Sequence, residues 1–394
     1  MTRALNVLGS DRPGDILLAL RAALAGGGPA VVPRDPAAKR GRWPEPGATV
    51  AQNVALVIET SGSTGSPKRV ALSTDALLAS AAASAGAMGG QGQWILALPA
   101  HYVAGAQVLV RSIAAETEPL IYGGGHFDPV AFAGLAAELT SDLRYVSLVP
   151  VQLARLLTAV ENGAREVADA LRRFDGILVG GQALNGRVRE RAAAVGARIL
   201  GTYGSSETAG GCVYDGTPIG ATVVREVDGG LEIAGPTLAE GYLGHPARTQ
   251  GTFHEADGQR WYRTGDVGRV DAEGRVVVLG RADNVIISGG EKVLLDAVER
   301  AVRLLDGYEH AVVVAEDDAE WGQVPVVVTE DVAAAGVERA ELAAVREFVA
   351  ERVGRAAAPS RIVVLPHLPM LSSGKPDRVR VARAVTDSRR NGEA

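Results

Sequence analysis

The stretch Thr60-Ser-Gly-Ser-Thr-Gly-Ser-Pro-Lys68 packs hydroxyls, glycines and one lysine into a loop suited to an oxyanion, above all a nucleotide phosphate. Ahead of it runs Val54-Ala-Leu-Val-Ile-Glu-Thr60, apolar and partly β-branched; behind it, Arg69-Val-Ala-Leu-Ser73 alternates polar and apolar as a half-buried strand does. The loop is expected to join two strands. A P-loop instead runs from Gly-x-x-x-x-Gly-Lys-Ser/Thr directly into a helix. Here Pro67 disfavours helix at Ser66, and Lys68 is followed by Arg69. Gly62 and Gly65 permit positive φ and close backbone approach, so successive N–H groups and the hydroxyls of Thr60, Ser61, Ser63 and Thr64 can ring a triphosphate. Lys68 adds a point charge. Composition alone would also suit a flexible Gly/Ser turn, but the Pro-Lys end and the flanking strands argue against it.

A chain of 394 residues exceeds what one core usually organises, so two or more domains are expected. Hydrophobic content of 47% with 22% charged residues is that of a soluble globular protein. The single cysteine, Cys212, excludes an intramolecular disulfide, and no Cys/His spacing suggests structural zinc. Neither an apolar leader nor a membrane-length apolar run is visible, so the expected protein is cytoplasmic and has no membrane anchor. A net charge of −6 argues against nucleic acid as partner and leaves any polyanionic ligand to local cations.

After the loop, Thr74-Asp75 can cap a helix, and β-like runs at 93–98, 145–149 and 176–179 alternate with helical segments at 150–159 and 185–195. This alternation predicts a layered α/β domain with much parallel sheet. From 216 to 280 short strands and Gly-rich turns suggest a small β subdomain. Beyond it a helix over 294–305, strands near 310–314 and 324–328, and a helix over 339–353 read as a compact α+β unit. The expected division is 1–281 and 282–394, with residues from 383 onward a frayed polar tail.

Three further motifs carry chemistry. Gly201-Thr-Tyr-Gly-Ser-Ser-Glu-Thr208 follows a strand, and open α/β sheets bind ligands at strand ends. Tyr203 can stack on a purine, while Glu207 beside the Ser206 hydroxyl suits an oxygen-seeking Mg²⁺. Alone, a capped turn with a solvated glutamate would read the same. Tyr262-Arg-Thr-Gly-Asp266 ends a strand on a carboxylate able to hold two ribose hydroxyls, although a hairpin Asp is a common turn residue. Pro366-His-Leu-Pro-Met-Leu-Ser-Ser-Gly-Lys-Pro-Asp377 sets Lys375 in a Gly/Pro loop, which in isolation reads as solvated surface.

Together and in this order, over about residues 50–381, these motifs resemble the adenylate-forming superfamily of acyl-CoA synthetases, nonribosomal adenylation domains and luciferases. The resemblance implies that Thr60–Lys68 meets the ATP phosphates. It assigns Gly180, Gly181 and Gln182, with Thr202, Tyr203, Gly204 and Ser206, to adenine and acyl-adenylate contacts. It makes Glu207 the Mg²⁺ ligand, Asp266 the ribose-binding Asp with Arg281 its companion, and Asp283 the hinge. Lys375 becomes the lysine of adenylation. The small C-terminal domain is then mobile and presents Gly289-Gly-Glu-Lys292, including Gly290, to coenzyme A. Pro99-Ala-His-Tyr-Val-Ala-Gly105 matches the superfamily's Pro-x-x-His segment, which puts His101 beside the acyl pocket.

Residues 203–216 and 280–292 look like the 2-succinylbenzoate–CoA ligases of menaquinone synthesis, particularly short actinobacterial forms, and the short stretch ahead of the phosphate loop agrees. The implied reaction joins 2-succinylbenzoate to coenzyme A through an acyl-adenylate made from ATP with Mg²⁺. Ser205 and Thr208 offer donors for a dicarboxylate beside His101 and Gly204. Cys212 reads as a packing residue. Ser206 replaces a commoner Thr, and Ile287 stands where many synthetases carry Lys, so their CoA contacts cannot be copied. Two alternatives remain within the class: another aryl-acid CoA ligase, or a stand-alone adenylation enzyme loading a carrier protein. A non-catalytic nucleotide sensor is disfavoured by the presence of Lys68, Glu207, Asp266 and Lys375. Dimerisation is one way to compensate for the short N-terminal part.

Overall fold

The computed structural model describes residues 1–37, 43–45, 47–60, 68–123, 125–182, 184, 186–330, 340–371 and 376–392, with side chains to 388. The chain divides into two compact units, the first comprising Met1–Val224, Glu232–Tyr262 and Ala272–Val276, the second Arg225–Leu231, Arg263–Asp271 and Val277–Ala394.

In the first unit, a six-stranded sheet has the order Gly241–Tyr242, Lys68–Ser73, Val54–Thr60, Ala30–Arg34, Thr2–Gly9, Thr49–Ala51. The two strands flanking the phosphate loop are antiparallel neighbours, and Thr60 and Lys68 are register partners, so the loop's two ends lie side by side. The expectation of a loop joining two strands holds. The following helix, Thr74–Met88, is capped by Ser73, whose Oγ accepts from the Ala76 N–H at 3.3 Å. That is one residue earlier than the Thr74 cap expected. Gly89, at φ +88°, closes the helix in the left-handed conformation that glycine adopts without steric cost.

A second, seven-stranded sheet carries the parallel core foreseen from the alternation. Gln93–Leu96, Arg144–Leu148, Gly176–Val179 and Ile199–Ser205 run parallel, and the first three are almost wholly buried. Strands buried on both faces need no polar alternation, which is why these runs read as continuously apolar. The helices Pro129–Ala137, Pro150–Glu161 and Arg165–Arg173 cover this sheet through Phe132, Leu153, Leu156, Leu171 and Phe174. The antiparallel strand Gly210–Tyr214 joins one side, paired with Ile199–Ser205.

The second unit contains a sheet ordered Glu291–Leu294, Val285–Ser288, Gly322–Glu330, Val312–Asp318, with Arg361–Leu365 added parallel to Gly322–Glu330. Leu295–Val302 and Leu342–Val353 pack on one side around Val298, Val313, Val327 and Val345. The α+β expectation is met. The frayed tail is not: a helix runs over Arg378–Gly392, and Val381 and Val385 bury against Val312, Val326 and Val363. Val381 and Val385, spaced i, i+4, give this otherwise polar helix its apolar stripe, and Arg378 adds a bond to Glu299 at 2.7 Å.

Candidate active site

Three elements of the first unit converge on Glu207. The strand Ile199–Ser205 delivers the turn Ser206–Thr208, and the short strand Gly241–Tyr242 pairs with Lys68–Ser73. The Tyr242 hydroxyl donates to Glu207 Oε1 at 2.8 Å, and Lys68 Nζ lies 3.8 Å from the same oxygen and 5.4 Å from the Tyr242 ring centroid. Burial, and next the Glu207 charge, push the Tyr242 phenol well above its usual pKa, so it stays a neutral donor. Glu207 is itself buried. A buried carboxylate is retained where donors and cations compensate it, and here the Tyr242 hydroxyl and the Lys68 ammonium do so.

The residues expected to contact the nucleotide occupy the carboxyl ends of adjacent parallel strands. Gly180 follows Gly176–Val179, and a Cβ there would lie 2.5 Å from Thr202 Oγ1, so a side chain at 180 would force Thr202 to move. Gly181 has φ +88°, and Thr202 Oγ1 lies 3.5 Å from the Val179 carbonyl. Gly204 admits the Gly210 carbonyl against its Cα, where any side chain would collide. Ser205 Oγ lies 3.4 Å from the Tyr262 hydroxyl. Thr208 is fully buried; its Oγ1 accepts from the Ser205 N–H at 2.9 Å and donates to the Gly210 carbonyl at 2.7 Å, so it braces the bend. Cys212 is buried next to it, its thiol pushed up to about 12 by burial, as a packing residue's would be.

His101 precedes the helix Val103–Ala114, with Nδ1 2.7 Å from Ser10 Oγ and its ring against Tyr102. Burial lowers its pKa below the usual 6.5, with Asp35 acting in the opposite direction. Acidification therefore puts more protons on the unfolded chain than on the fold: stability present above about pH 6.5 is lost as pH falls through the folded value. Between about pH 7 and about pH 5, the Tm of the wild type should fall more steeply than that of His101→Asn; parallel slopes would remove His101 from this linkage.

The second unit carries a separate cluster. Arg281 Nη1 lies 3.2 Å from Asp266 Oδ1 and donates to the Thr264 carbonyl at 3.1 Å, while its Nε donates to Asp283 Oδ1 at 3.2 Å. Asp296 Oδ2 accepts from the Arg281 N–H at 3.1 Å and from Asn284 Nδ2 at 2.9 Å. Gly289 and Gly290, at φ +56° and +83°, form the two-residue turn between Val285–Ser288 and Glu291–Leu294, and the Lys292 side chain is exposed. Both positive φ angles match the hairpin turn that follows sheet twist. Trp321, half-exposed, lays its ring over Gly289, and the Gly289 N–H donates to the Trp321 carbonyl at 2.9 Å.

Thr60 and Lys68 face each other at the ends of the two flanking strands, while Ser61, Gly62, Ser63, Thr64 and Gly65 lie outside the described residues, as does Lys375. Met370 and Pro376 pair across the base of the segment that contains Lys375. Tyr242 and Trp321 were missed by sequence reasoning, since no local motif marks them; Tyr262 opens the motif that ends on Asp266, but its bond to Ser205 was not foreseen. Among the described residues no group of three or more His, Cys, Asp or Glu forms a metal cage. Mg²⁺ commonly takes one or two carboxylates and completes its shell with phosphate and water oxygens, so the single Glu207 carboxylate beside the phosphate loop fits it. A cavity of about 720 Å³ between Ala79, Ala83, Tyr214 and Ile219 contains none of these residues.

A two-unit α/β chain in which a buried glutamate meets the lysine that follows a hydroxyl- and glycine-rich segment suits a nucleotide-activating enzyme. The chain belongs to the AMP-binding enzyme family: the family profile matches residues 24–228, and that of the AMP-binding enzyme C-terminal domain matches residues 297–375. It is 37% identical over 389 residues to a probable 2-succinylbenzoate–CoA ligase of Mycobacterium tuberculosis, covering 97% of this chain and 98% of that one. With the 2-succinylbenzoate–CoA ligase of Enterococcus faecalis the identity is 27% over 355 residues, covering 82% and 68%. The o-succinylbenzoate CoA synthetase of Bacillus subtilis, solved with its acyl-adenylate intermediate, shares the fold at a TM-score of 0.74 and 21% identity, covering 96% of this chain and 88% of that one. No helix among the described residues is long and apolar enough to cross a membrane.

Proposed function

We propose that this protein is an AMP-forming ligase that activates 2-succinylbenzoate with ATP and transfers the acyl group to coenzyme A, a step of menaquinone synthesis carried out in the cytoplasm. The observation that carries the reaction class is Glu207, buried between Tyr242 and Lys68 where the phosphate loop ends. The near-full-length match to the mycobacterial relative supports the acid.

The first half-reaction brings a carboxylate to the α-phosphate, and the repulsion of two anions is its main obstacle. Bound Mg²⁺ supplies positive charge to the phosphates. Glu207 holds the metal, with Tyr242 fixing the carboxylate's direction. Lys68 and the loop from Thr60 to Gly65 hold the departing pyrophosphate. Gly180, Gly181, Gln182, Thr202, Tyr203, Gly204 and Ser206 line the adenine and adenylate, and Asp266, oriented by Arg281, takes the ribose hydroxyls. His101 and Ser205 border the acid, while Thr208 keeps the bend in shape. Lys375 neutralises the reacting oxygens.

The second half-reaction uses the part of the chain after residue 281, turning about Asp283 so that the Gly289–Gly290 turn and Lys292 meet coenzyme A. Trp321, over Gly289, offers a flat apolar surface to the thiol's flexible arm. Trp321→Ala should raise the KM for coenzyme A about tenfold and leave adenylate formation unchanged; an unchanged KM would remove it from the thiol site.

The product assay is direct. Purified protein with ATP, Mg²⁺ and coenzyme A should form a thioester from 2-succinylbenzoate and not from simple benzoates. Products only from benzoate-type acids would favour the aryl-acid ligase reading.

A further inference from the structure

The bend that carries Glu207 is gripped by two buried side chains that the proposed reaction does not use. Ala209, at the end of the bend, has φ 50° and ψ 35°, the left-handed region that residues with a Cβ avoid. Its carbonyl accepts two hydrogen bonds, from Ser80 Oγ at 2.9 Å and from Gln107 Nε2 at 2.7 Å. Ser80 stands on the helix Thr74–Met88 and Gln107 on Val103–Ala114, and both are buried. A carbonyl that fills both lone pairs with donors from two separate helices is fixed in direction as well as position. Gly210 packs on the same glutamine: a Cβ there would lie 3.3 Å from Gln107 Cγ.

The helix that carries Gln107 starts two residues after His101, and Gly105 lets it sit against the Pro99 carbonyl, where any Cβ would collide. One helix and the turn that leads into it therefore carry His101 and, further along, a grip on the Glu207 bend. We propose that Gln107 is a positioning residue, with Ser80 as the second point of the clamp. By holding Ala209 in its left-handed turn, Gln107 sets the direction of the Glu207 carboxylate and its spacing from His101. The kinetic consequence rests on the proposed role of Glu207; the clamp itself does not.

Gln107→Leu removes the donor at nearly constant volume, while Ala209→Gly removes the steric cost of the left-handed turn and should let the bend hold with one donor. Hydrogen exchange measured on the full chain by mass spectrometry reads the bend without any substrate. In Gln107→Leu, the peptide covering residues 205–211 should exchange at least about tenfold faster, with the strand Gln93–Leu96 unchanged. Its kcat for acid-dependent pyrophosphate exchange should fall about tenfold, with KM for ATP within about twofold. Adding Ala209→Gly should restore at least about threefold of that loss and part of the protection. Unchanged exchange at 205–211, a loss of protection spread evenly over the molecule, an unaffected kcat, or no restoration by Ala209→Gly would each overturn the proposal. Should the wild type show no acid-dependent activity, the functional reading fails while the hydrogen-exchange comparison still decides the clamp.

Discussion

Lys375→Ala is expected to abolish acid-dependent pyrophosphate exchange, by about a thousandfold or more, while leaving thioester formation from supplied acyl-adenylate within about threefold of wild type. The asymmetry follows from charge. Adenylation sets a carboxylate against a phosphate, and a cation at the reacting oxygens lowers that barrier most. Thiol attack on the adenylate needs no such neutralisation from the same side chain. Either side of the lysine's segment, Met370 pairs with Pro376 and the helix Arg378–Gly392 packs on the second unit's core, and none of the core valines is touched by the substitution. Equal loss in both half-reactions would count against a domain that serves them in turn.

Glu207→Gln should lower the rate of adenylation about a hundredfold and raise the Mg²⁺ concentration needed for half-maximal rate, with little change in Tm. Glutamine keeps the shape and an oxygen for the Tyr242 hydroxyl at 2.8 Å, but removes the charge that faces Lys68 at 3.8 Å. The variant therefore separates electrostatics from packing. Exchange within a few-fold of wild type at ordinary Mg²⁺ would show that the carboxylate has no part in holding the metal.

Most of the architecture was legible because its signals are local. The apolar run at 54–60 and the alternation at 69–73 lie next to the loop they flank, and the structure pairs them with Thr60 opposite Lys68. The parallel strands announced themselves as short apolar runs between helical segments. The C-terminal helix escaped because its polar residues outnumber the two valines, Val381 and Val385, that dock it. Docking depends on what the rest of the unit exposes, and no window of sequence contains that.

The candidate site divides the same way. Glu207, Asp266 and the two glycine-rich loops were visible because each combines a reactive side chain with turn residues at short range. Tyr242 was not, since it reaches Glu207 only through the pairing of Gly241–Tyr242 with the strand after the phosphate loop. Ser80 and Gln107 read as ordinary helix residues; only the shared carbonyl of Ala209 gives them meaning. Thr208 illustrates the opposite case. Its hydroxyl stands in a chemically suggestive place, yet it is bonded within the bend. Long-range partners of this kind arise from topology, and spacing along the chain does not encode them.

The central claim, that the site makes an acyl-adenylate of 2-succinylbenzoate, is tested most directly by exchange of labelled pyrophosphate into ATP with coenzyme A left out. Exchange that requires both 2-succinylbenzoate and Mg²⁺ is the predicted result. Exchange supported by benzoate-type acids but not by 2-succinylbenzoate, or none with any acid, would contradict it.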